Sequence, residues 1–453
     1  MKTRQGDLTQ GPILKVLTRL ALPIMASSFL STAYNLTDMA WVGTLGAKAV
    51  AGVGVGGMYV WLSQGLSTLC RMGGQVHAGQ CIGRGRRQEA GCYAVAAVQL
   101  VVLLGALFGG ICLLFPELLL SFFRMDDPVT AACAREYLMI TCGGIVLPYV
   151  NATLTGLYTA QGNSKTPLLA NTVGLVLNML LDPMLILGVG FFPRLEAAGA
   201  AVATVTAQAV VLTVLIAAMK KDNLLREHSV LRLPGRQYFA NIIRMGGPSA
   251  IQSSAYCAIS MVLTRMVSAF GEGAIAVLRV GGQIESLTWN TAEGFGAAMN
   301  AFAAQNYGAG RLDRVRKGYD LAAIAMAAWG TFIGAAFLLF PAPISSLFFH
   351  EAEVMPLSVD YFFILSFCEP FMCVELMAIG AMSGLGRTRE CSILSILFTG
   401  IRIPLAWALS SLCLGLNGVW WAMTITTTVK GVLMHISFRR HTRKASPCAT
   451  ADA

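Results

Sequence analysis

The sequence has few charged residues. Only 12% of its 453 residues are Asp, Glu, Lys or Arg, whereas 55% are hydrophobic. In soluble proteins, charged residues make up about a quarter of the sequence. A soluble globular protein of this length is therefore excluded, and the composition indicates a chain that lies in a lipid bilayer.

The sequence also lacks the motifs of several enzyme classes. Its 12 cysteines form no CxxC pair, and its five histidines are scattered, so neither a disulfide framework nor a metal cluster is expected. The glycine-rich stretch 52–57 is not followed by Lys-Ser or Lys-Thr, so it is not a phosphate-binding loop. We expect no cofactor, and any energy must come from an ion gradient.

Long apolar segments are abundant. Many reach the ~20 residues that a membrane-spanning helix needs, and they are too long and too continuous for the strands of a membrane barrel. The sequence predicts an all-α integral membrane protein with twelve spans. They lie near residues 14–41, 50–76, 92–115, 131–160, 166–190, 197–219, 239–268, 275–303, 318–341, 355–384, 391–413 and 417–438.

The net charge of +10 follows the predicted topology. Most of the 33 basic residues lie in the termini and in alternate loops, while only Lys48, Arg124, Arg135 and Arg194 lie in the other loops. Basic loops face the cytoplasm. We therefore expect an inner-membrane protein with both termini in the cytoplasm, in contact with lipid and not with nucleic acid.

The chain contains an internal repeat with an offset of 225 residues. The offset carries Pro23 onto Pro248, Gly46 onto Gly271 and Arg86 onto Arg311 without a gap. Each half has six spans and enters the membrane in the same sense, which is typical of a parallel repeat. The sequence predicts two six-helix lobes, 1–220 and 239–438, joined by a cytoplasmic linker, 221–238, and followed by a disordered tail, 439–453.

Two acids of the first half lie inside predicted spans. An ionised carboxylate at the bilayer centre costs about 2.5–3.5 kcal/mol on insertion scales. The presence of Asp38 and Asp182 within spans therefore indicates a functional role. Asn178 precedes Asp182 by one helical turn, and Tyr34 precedes Asp38 by one turn. The group offers oxygen ligands for a small cation, or a carboxyl that binds a proton. Alternatively, Asp182 caps a helix break at Pro183, and Asp38 lies near the outer water.

The second half does not repeat these acids, since the repeat partner of Asp38 is Leu263. Of its own ionisable residues, Glu285 and Glu375 are candidates for a polar cavity, or for simple ion pairs. The coupling chemistry is therefore expected in the first half.

Several motifs resemble those of the multidrug and toxic compound extrusion (MATE) transporters. They are found in both halves, and the resemblance covers almost the whole chain. The motifs are Leu20-Ala21-Leu22-Pro23-Ile24, Trp41-Val42-Gly43-Thr44-Leu45-Gly46, Gln80-Cys81-Ile82-Gly83-Arg84-Gly85, the stretch 178–183, Gln305-Asn306-Tyr307-Gly308-Ala309-Gly310-Arg311 and Arg402-Ile403-Pro404.

The resemblance implies an antiporter that exports cationic, amphipathic compounds in exchange for H⁺ or Na⁺. In the branch similar to the DNA-damage-inducible transporters, the cation site would comprise Asp38, Asn178 and Asp182, and the first helix would bend at Pro23. Further residues carried over by the resemblance are Thr204, Asn151 and Thr155. We expect a monomer.

Two other functions fit the sequence less well than transport of cations. A flippase of lipid-linked sugars favours a basic central cavity, but the intramembrane basic residues are scattered along this sequence: Arg71, Arg265, Arg279, Arg402 and Lys430. A membrane-embedded enzyme needs a nucleophile and a base, or a metal cluster, and the sequence shows no such grouping.

Overall fold

The computed structural model describes residues 7–123, 127–189, 193–219, 233–349 and 351–444. These residues form seventeen α-helices and one π-helical segment, Ser410–Leu414. The helices are α1 Ile13–Gly43, α2 Ala47–Leu62, α3 Gln64–Gly83, α4 Arg87–Leu114, α5 Pro116–Ser121, α6 Pro128–Gly143, α7 Val146–Ala160, α8 Lys165–Leu187, α9 Glu196–Met219, α10 Arg236–Ser268, α11 Glu272–Gly308, α12 Leu312–Leu339, α13 Pro341–Ser346, α14 Val354–Leu365, α15 Glu369–Gly384, α16 Thr388–Leu409 and α17 Leu416–Lys444.

The helices confirm the predicted all-α membrane fold. Six of them are long and apolar enough to cross a bilayer, and two bent pairs, α6 with α7 (45°) and α14 with α15 (54°), raise the number to eight. The four remaining predicted spans correspond to α2 with α3, to α10, to α11 and to α17. These helices are long enough to span the ~30 Å of hydrocarbon, although they carry more polar residues.

The repeat is visible in the succession of helices. The short helices α5 and α13 each have six residues and begin with a proline, Pro116 and Pro341, which suits the first position of a helix. The turns before α2 and α11 each need a glycine, because Gly46 has φ 96° and Gly271 has φ 102°. Equivalent residues thus adopt equivalent backbone conformations.

By packing, the chain divides into two compact units. The N-terminal unit comprises Ala26–Ala250, and the C-terminal unit comprises Asp7–Met25 together with the chain from Ile251 onward. This division differs from the predicted lobes in two places. The first part of α1 belongs with the second half of the sequence, and the first part of α10 belongs with the first half.

The start of α10 is a full member of the N-terminal unit's core. Ile242 is completely buried within the core that α3, α4, α6 and α7 form. A Cβ on Gly73 of α3 would lie 2.5 Å from the carbonyl oxygen of Ile242, and a Cβ on Gly246 of α10 would collide with the carbonyl of Leu69. The two helix backbones can therefore approach this closely only because both positions are glycine.

The predicted linker and tail need correction at their edges. Helix α10 already begins at Arg236, so the last three residues assigned to the linker 221–238 are helical; residues 220–232 lie outside the described residues. Helix α17 continues to Lys444, so the predicted tail 439–453 is helical where it is described. Two side-chain contacts hold this extension: an ion pair of Arg439 with Asp320 at 2.8 Å, and a contact of 2.9 Å between His441 and Glu390.

Candidate ion-coupling site

Asp38 and Asp182 lie close together in the N-terminal unit. Asp38 is five residues before the end of α1 and Asp182 five residues before the end of α8. The two carboxylates are near enough to interact electrostatically, and the phenol of Tyr137 on α6 is within electrostatic reach of both. The structure therefore brings together the two acids that the sequence singled out. Tyr137 was missed, since one aromatic residue in an apolar span gives no functional signal.

Asn178 connects the acid of α8 to the neighbouring helix. In the amide orientation that satisfies both of its ends, Nδ2 donates a hydrogen bond to Oδ2 of Asp182 at 2.8 Å, and Oδ1 accepts one from the backbone N–H of Thr204 at 3.1 Å. Asn178 is 1% exposed and Asp182 is fully buried. Thr204 thus joins this arrangement through its backbone, on α9.

The alternative role of Asp182 as a cap at a helix break is wrong. Helix α8 runs without interruption from Lys165 to Leu187 and contains Pro183 in its interior. Asp182 therefore lies in the body of a helix, where its carboxylate cannot satisfy the free N–H groups of a helix start.

Buried carboxylate oxygens in this group have no hydrogen-bond partner among the described residues. They are Oδ1 of Asp38 and Oδ1 of Asp182. Within the described part of Ala26–Ala250, no Lys or Arg side chain is buried. Two acids close together cannot both remain ionised without a compensating cation. The arrangement therefore favours binding of a proton or a small hard cation.

A small apolar cluster lies one helical turn beyond the acids. It contains Val42, Ile186 and Ala200, which are 2%, 0% and 0% exposed. Val42 follows Asp38 by four residues and Ile186 follows Asp182 by four, so each shares a face with its acid. We call these three residues the apolar plug. The plug packs against Tyr137, and its residues Val42 and Ile186 lie nearer the ends of α1 and α8 than the acids do.

Asn151, on α7, is bound to α9 at a position one helical turn after Thr204. Its Nδ2 donates to the backbone oxygen of Gln208 at 2.9 Å and to Oε1 of Gln208 at 2.8 Å, and Gln208 follows Thr204 by four residues. The carbonyl of Thr155 accepts a hydrogen bond from Thr159. No contact within the described residues places Thr155 on the acids, and the side chain of Tyr34 lies outside those residues.

In the C-terminal unit, Glu375 forms an ion pair. Its Oε1 lies 3.0 Å from Nζ of Lys430, and the two side chains are 5% and 8% exposed. Lys430 also donates to Thr399 at 3.4 Å. For Glu375 the structure thus favours the alternative of a buried ion pair over an open cavity position.

Glu285 and Glu369 form a second acidic group in this unit. The hydroxyl of Tyr361 donates to Oε2 of Glu285 at 3.2 Å, and Arg402 attracts Glu285 electrostatically. Glu369 is fully buried, and its carboxylate interacts electrostatically with that of Glu285. Glu369 was missed as a site residue, although it lies near the middle of the predicted span 355–384.

The buried cations of this unit are committed to neighbouring side chains. Arg402 donates from Nε to Thr426 at 3.1 Å and from Nη2 to Thr427 at 2.9 Å, while Lys430 is paired with Glu375. These contacts distribute the two cations over different partners. They do not form the cluster of basic groups that a pyrophosphate would need.

Comparison with known proteins decides the family. A family profile described as MatE matches residues 23–184 and, a second time, residues 248–408. The chain belongs to the MatE family. The two matches begin at Pro23 and Pro248, so they also confirm the internal repeat with its offset of 225 residues.

The sequence similarity to named relatives extends over nearly the whole chain. A probable multidrug resistance protein NorM of Thermotoga maritima is 26% identical over 432 residues, which are 94% of this chain and 92% of the relative. An FAD transporter of Shewanella oneidensis is 23% identical over 447 residues, which are 97% of each protein. The MatE chain is thus similar in length to both.

A solved structure shows the same fold. It is described as the outward-facing conformation of a multidrug resistance MATE family transporter of the MOP superfamily. The TM-score is 0.89 at 23% identity, and the match covers 98% of this chain and 100% of the other. The likeness confirms the predicted fold of twelve membrane-spanning helices in two halves.

Proposed function

We propose that this MatE protein is a secondary antiporter that exports cationic or amphipathic compounds in exchange for H⁺ or Na⁺. Family membership and the multidrug resistance naming of several relatives support efflux of small molecules. The observation that carries the coupling mechanism is the pair of neighbouring acids, half-buried Asp38 and buried Asp182, in a unit whose described Lys and Arg side chains are not buried.

Asp38, Asp182 and Asn178 form the proposed coupling site. When a proton or Na⁺ binds, it removes the negative charge that attracts a cationic substrate. When the ion leaves, the substrate is attracted again. A transporter needs only such a difference in affinity between two states. Asn178 keeps Asp182 in place through its hydrogen bond at 2.8 Å, and Pro23 is the proposed bending point of α1.

The positive-inside rule supports the proposed topology, with both termini in the cytoplasm of a cell whose inner membrane holds the protein. In this orientation α1 and α8 both end on the outer side. The acids lie nearer to that side, and the apolar plug separates them from the outer water. The branch assignment, similar to the DNA-damage-inducible transporters, rests on the first-half position of these acids.

Ethidium uptake into inverted membrane vesicles tests this function. We expect uptake under an imposed proton gradient or sodium gradient, and loss of uptake in Asp38→Asn and in Asp182→Asn. Asp313→Asn is the matched control, because its side chain is 87% exposed and pairs with Arg316 three residues away. Uptake without a gradient, or normal uptake by Asp38→Asn, would contradict the proposal.

A parallel measurement with FAD addresses the substrate class. The relative from Shewanella oneidensis is named for transport of FAD, which is anionic, and the acids of the coupling site favour a cation. We expect ethidium to be transported in preference to FAD. Transport of FAD in preference to ethidium would contradict the proposed substrate class. The gradient dependence of uptake would still test ion coupling separately.

A further inference from the structure

The motif Gln305 to Arg311, at the turn between α11 and α12, has no part in the proposed coupling site. Its side chains bind the segment before α1. Oε1 of Gln305 accepts a hydrogen bond from the N–H of Leu8 at 3.0 Å, and Nδ2 of Asn306 donates to the carbonyl of Leu8 at 3.2 Å. Gln305 and Asn306 are 1% and 0% exposed. Both polar groups of one backbone residue are thus bound by buried amides.

Two arginines extend this contact along the same segment. Nη1 of Arg311 donates to the carbonyl of Thr9 at 2.7 Å, and Nη2 of Arg314 donates to the carbonyl of Gln10 at 3.0 Å. Three successive carbonyls before α1 are therefore held by side chains of α11, of the turn that follows it and of the first turn of α12. We call Gln305, Asn306, Arg311 and Arg314 the clasp.

The first half of α1 is also packed within the C-terminal unit. Leu17, Leu20 and Ala21 are at most 2% exposed, in a core that includes Phe295 and Met299 of α11. This core continues the attachment that the clasp begins, so the segment from Asp7 to Met25 is fixed along its length.

A close contact marks the end of this attached segment. A Cβ on Gly294 of α11 would lie 3.1 Å from the backbone nitrogen of Met25, 3.2 Å from its Cα and 2.9 Å from its Cγ. From Ala26 onward the helix belongs to the N-terminal unit and leads to Asp38. Pro23 lies just before this change and leaves the carbonyl of Arg19 without its helical N–H donor.

From this geometry we infer that the clasp and Gly294 hold the first half of α1 as a fixed arm of the C-terminal unit, so that α1 transmits ion binding at Asp38 to that unit. The clasp residues and Gly294 are positioning residues for coupling. This inference rests on the proposed antiport function, because it assigns the route by which the ion site acts. It does not require the clasp residues to contact the ion or the substrate.

Amide hydrogen exchange tests the attachment without any transport measurement. In the full-length protein reconstituted in nanodiscs, we compare the wild type with the double variant Arg311→Ala, Arg314→Ala. Each hydrogen bond from a charged donor is worth enough for its loss to raise the open fraction about tenfold. We expect exchange over residues 8–16 to rise accordingly in the double variant. The variant Arg311→Lys, Arg314→Ala keeps a charged donor at position 311 and should retain part of the protection.

Arg86→Ala is the matched control for the clasp. Arg86 is the repeat partner of Arg311, and its side chain pairs with Glu89 at 3.6 Å. The control removes the same charge at the equivalent turn of the other repeat. Unchanged exchange over residues 8–16 in the double variant, or an equal rise in Arg86→Ala, would overturn the attachment.

Ethidium uptake and ethidium binding together test the coupling role. In the clasp variant and in Gly294→Ala we expect gradient-driven uptake to fall, while ethidium binding and its dependence on pH and sodium concentration stay normal. Gly282→Ala is the control for Gly294, since it lies on the same helix with nothing within 4 Å of its Cβ position. Normal uptake in the clasp variant would overturn the inference, as would equal losses of binding and uptake.

The two proposals fail in different ways. If the wild type moves no ethidium under either gradient, the proposed function is contradicted, and the coupling role of the clasp falls with it. If the wild type transports ethidium and the clasp variant transports it equally well, only the inference about α1 fails. The exchange measurement judges the attachment in both cases.

Discussion

Asn178 donates a hydrogen bond to Asp182 from one helical turn away, at 2.8 Å, while its carbonyl accepts from the backbone N–H of Thr204. The amide therefore fixes a fully buried carboxylate against the neighbouring helix α9. Because one oxygen of Asp182 is occupied by this bond, its other oxygen and Oδ1 of Asp38 are the groups that remain for the coupling ion.

Replacing Asn178 by Ala should weaken ion binding. A hydrogen bond to a charged group contributes about 1.5–3 kcal/mol, so the ion concentration for half-maximal ethidium uptake should rise about tenfold or more. Uptake is measured over a series of pH values and sodium concentrations. The control Asn417→Ala removes a comparable bond, 2.8 Å to Asp360 in the C-terminal unit. An unchanged ion dependence in Asn178→Ala would refute the role of the amide.

The apolar plug should prevent protons from passing the site on the outer side. Because Ile186 is fully buried one turn beyond Asp182, Ile186→Thr places a hydroxyl in the dry layer and should admit water. We expect proteoliposomes with this variant to lose a pH gradient faster in the absence of substrate, as followed with a trapped pH-sensitive dye. Leu180→Thr on the same helix, at a 60% exposed position, should leave the gradient intact.

Removing Glu375 should destabilise the C-terminal unit. The change leaves the buried Lys430 without its partner at 3.0 Å, and breaking a buried pair in this way costs about 3–5 kcal/mol. We expect Glu375→Gln to lower the thermal unfolding temperature in detergent. The double variant Glu375→Met, Lys430→Met should recover most of the loss, since no charge then stays unpaired. A double variant no more stable than Glu375→Gln would contradict this account.

Asp127 should make stability depend on pH only under strongly acidic conditions. A hydrogen bond from Lys48 at 2.7 Å, together with bonds from Thr130, lowers the pKa of Asp127 from 3.8 to about 2. A lowered pKa adds stability above 3.8, and this contribution is lost as the pH falls through about 2. Asp127→Asn should therefore unfold at a lower temperature than the wild type at neutral pH, and the difference should shrink as the pH falls from 3.8 toward 2. A difference that is constant over this range would exclude the ionised carboxylate as its cause.

The helices and the acids of the first half were predictable from the sequence for a physical reason. Long apolar segments have few alternatives to helices in a bilayer, and acids such as Asp182 are conspicuous within them. The contact between Asn178 and Asp182 followed from their helical spacing. Its continuation to α9 did not, because Thr204 contributes a backbone N–H that any residue could supply.

Other features were outside what the sequence pattern can specify. Leu17 and Ile242 occupy equivalent repeat positions, and hydrophobicity alone gives no information on which core each will join. The partners of Glu375 and Glu285 depend on side chains from distant helices, Lys430 and Tyr361. Partners that are distant in the sequence can be identified as an ion pair only from the folded structure.

The attachment of α1 also affects how the chain folds. Leu17 and Leu20 are synthesised early but pack against residues of α11 and later helices, which leave the ribosome more than 250 residues afterwards. Contacts of such long sequence separation form slowly, because the loop they close costs entropy before the contact is gained. The first half of α1 can thus complete its packing only after the second repeat has been inserted, so the biogenesis of the C-terminal unit depends on both repeats.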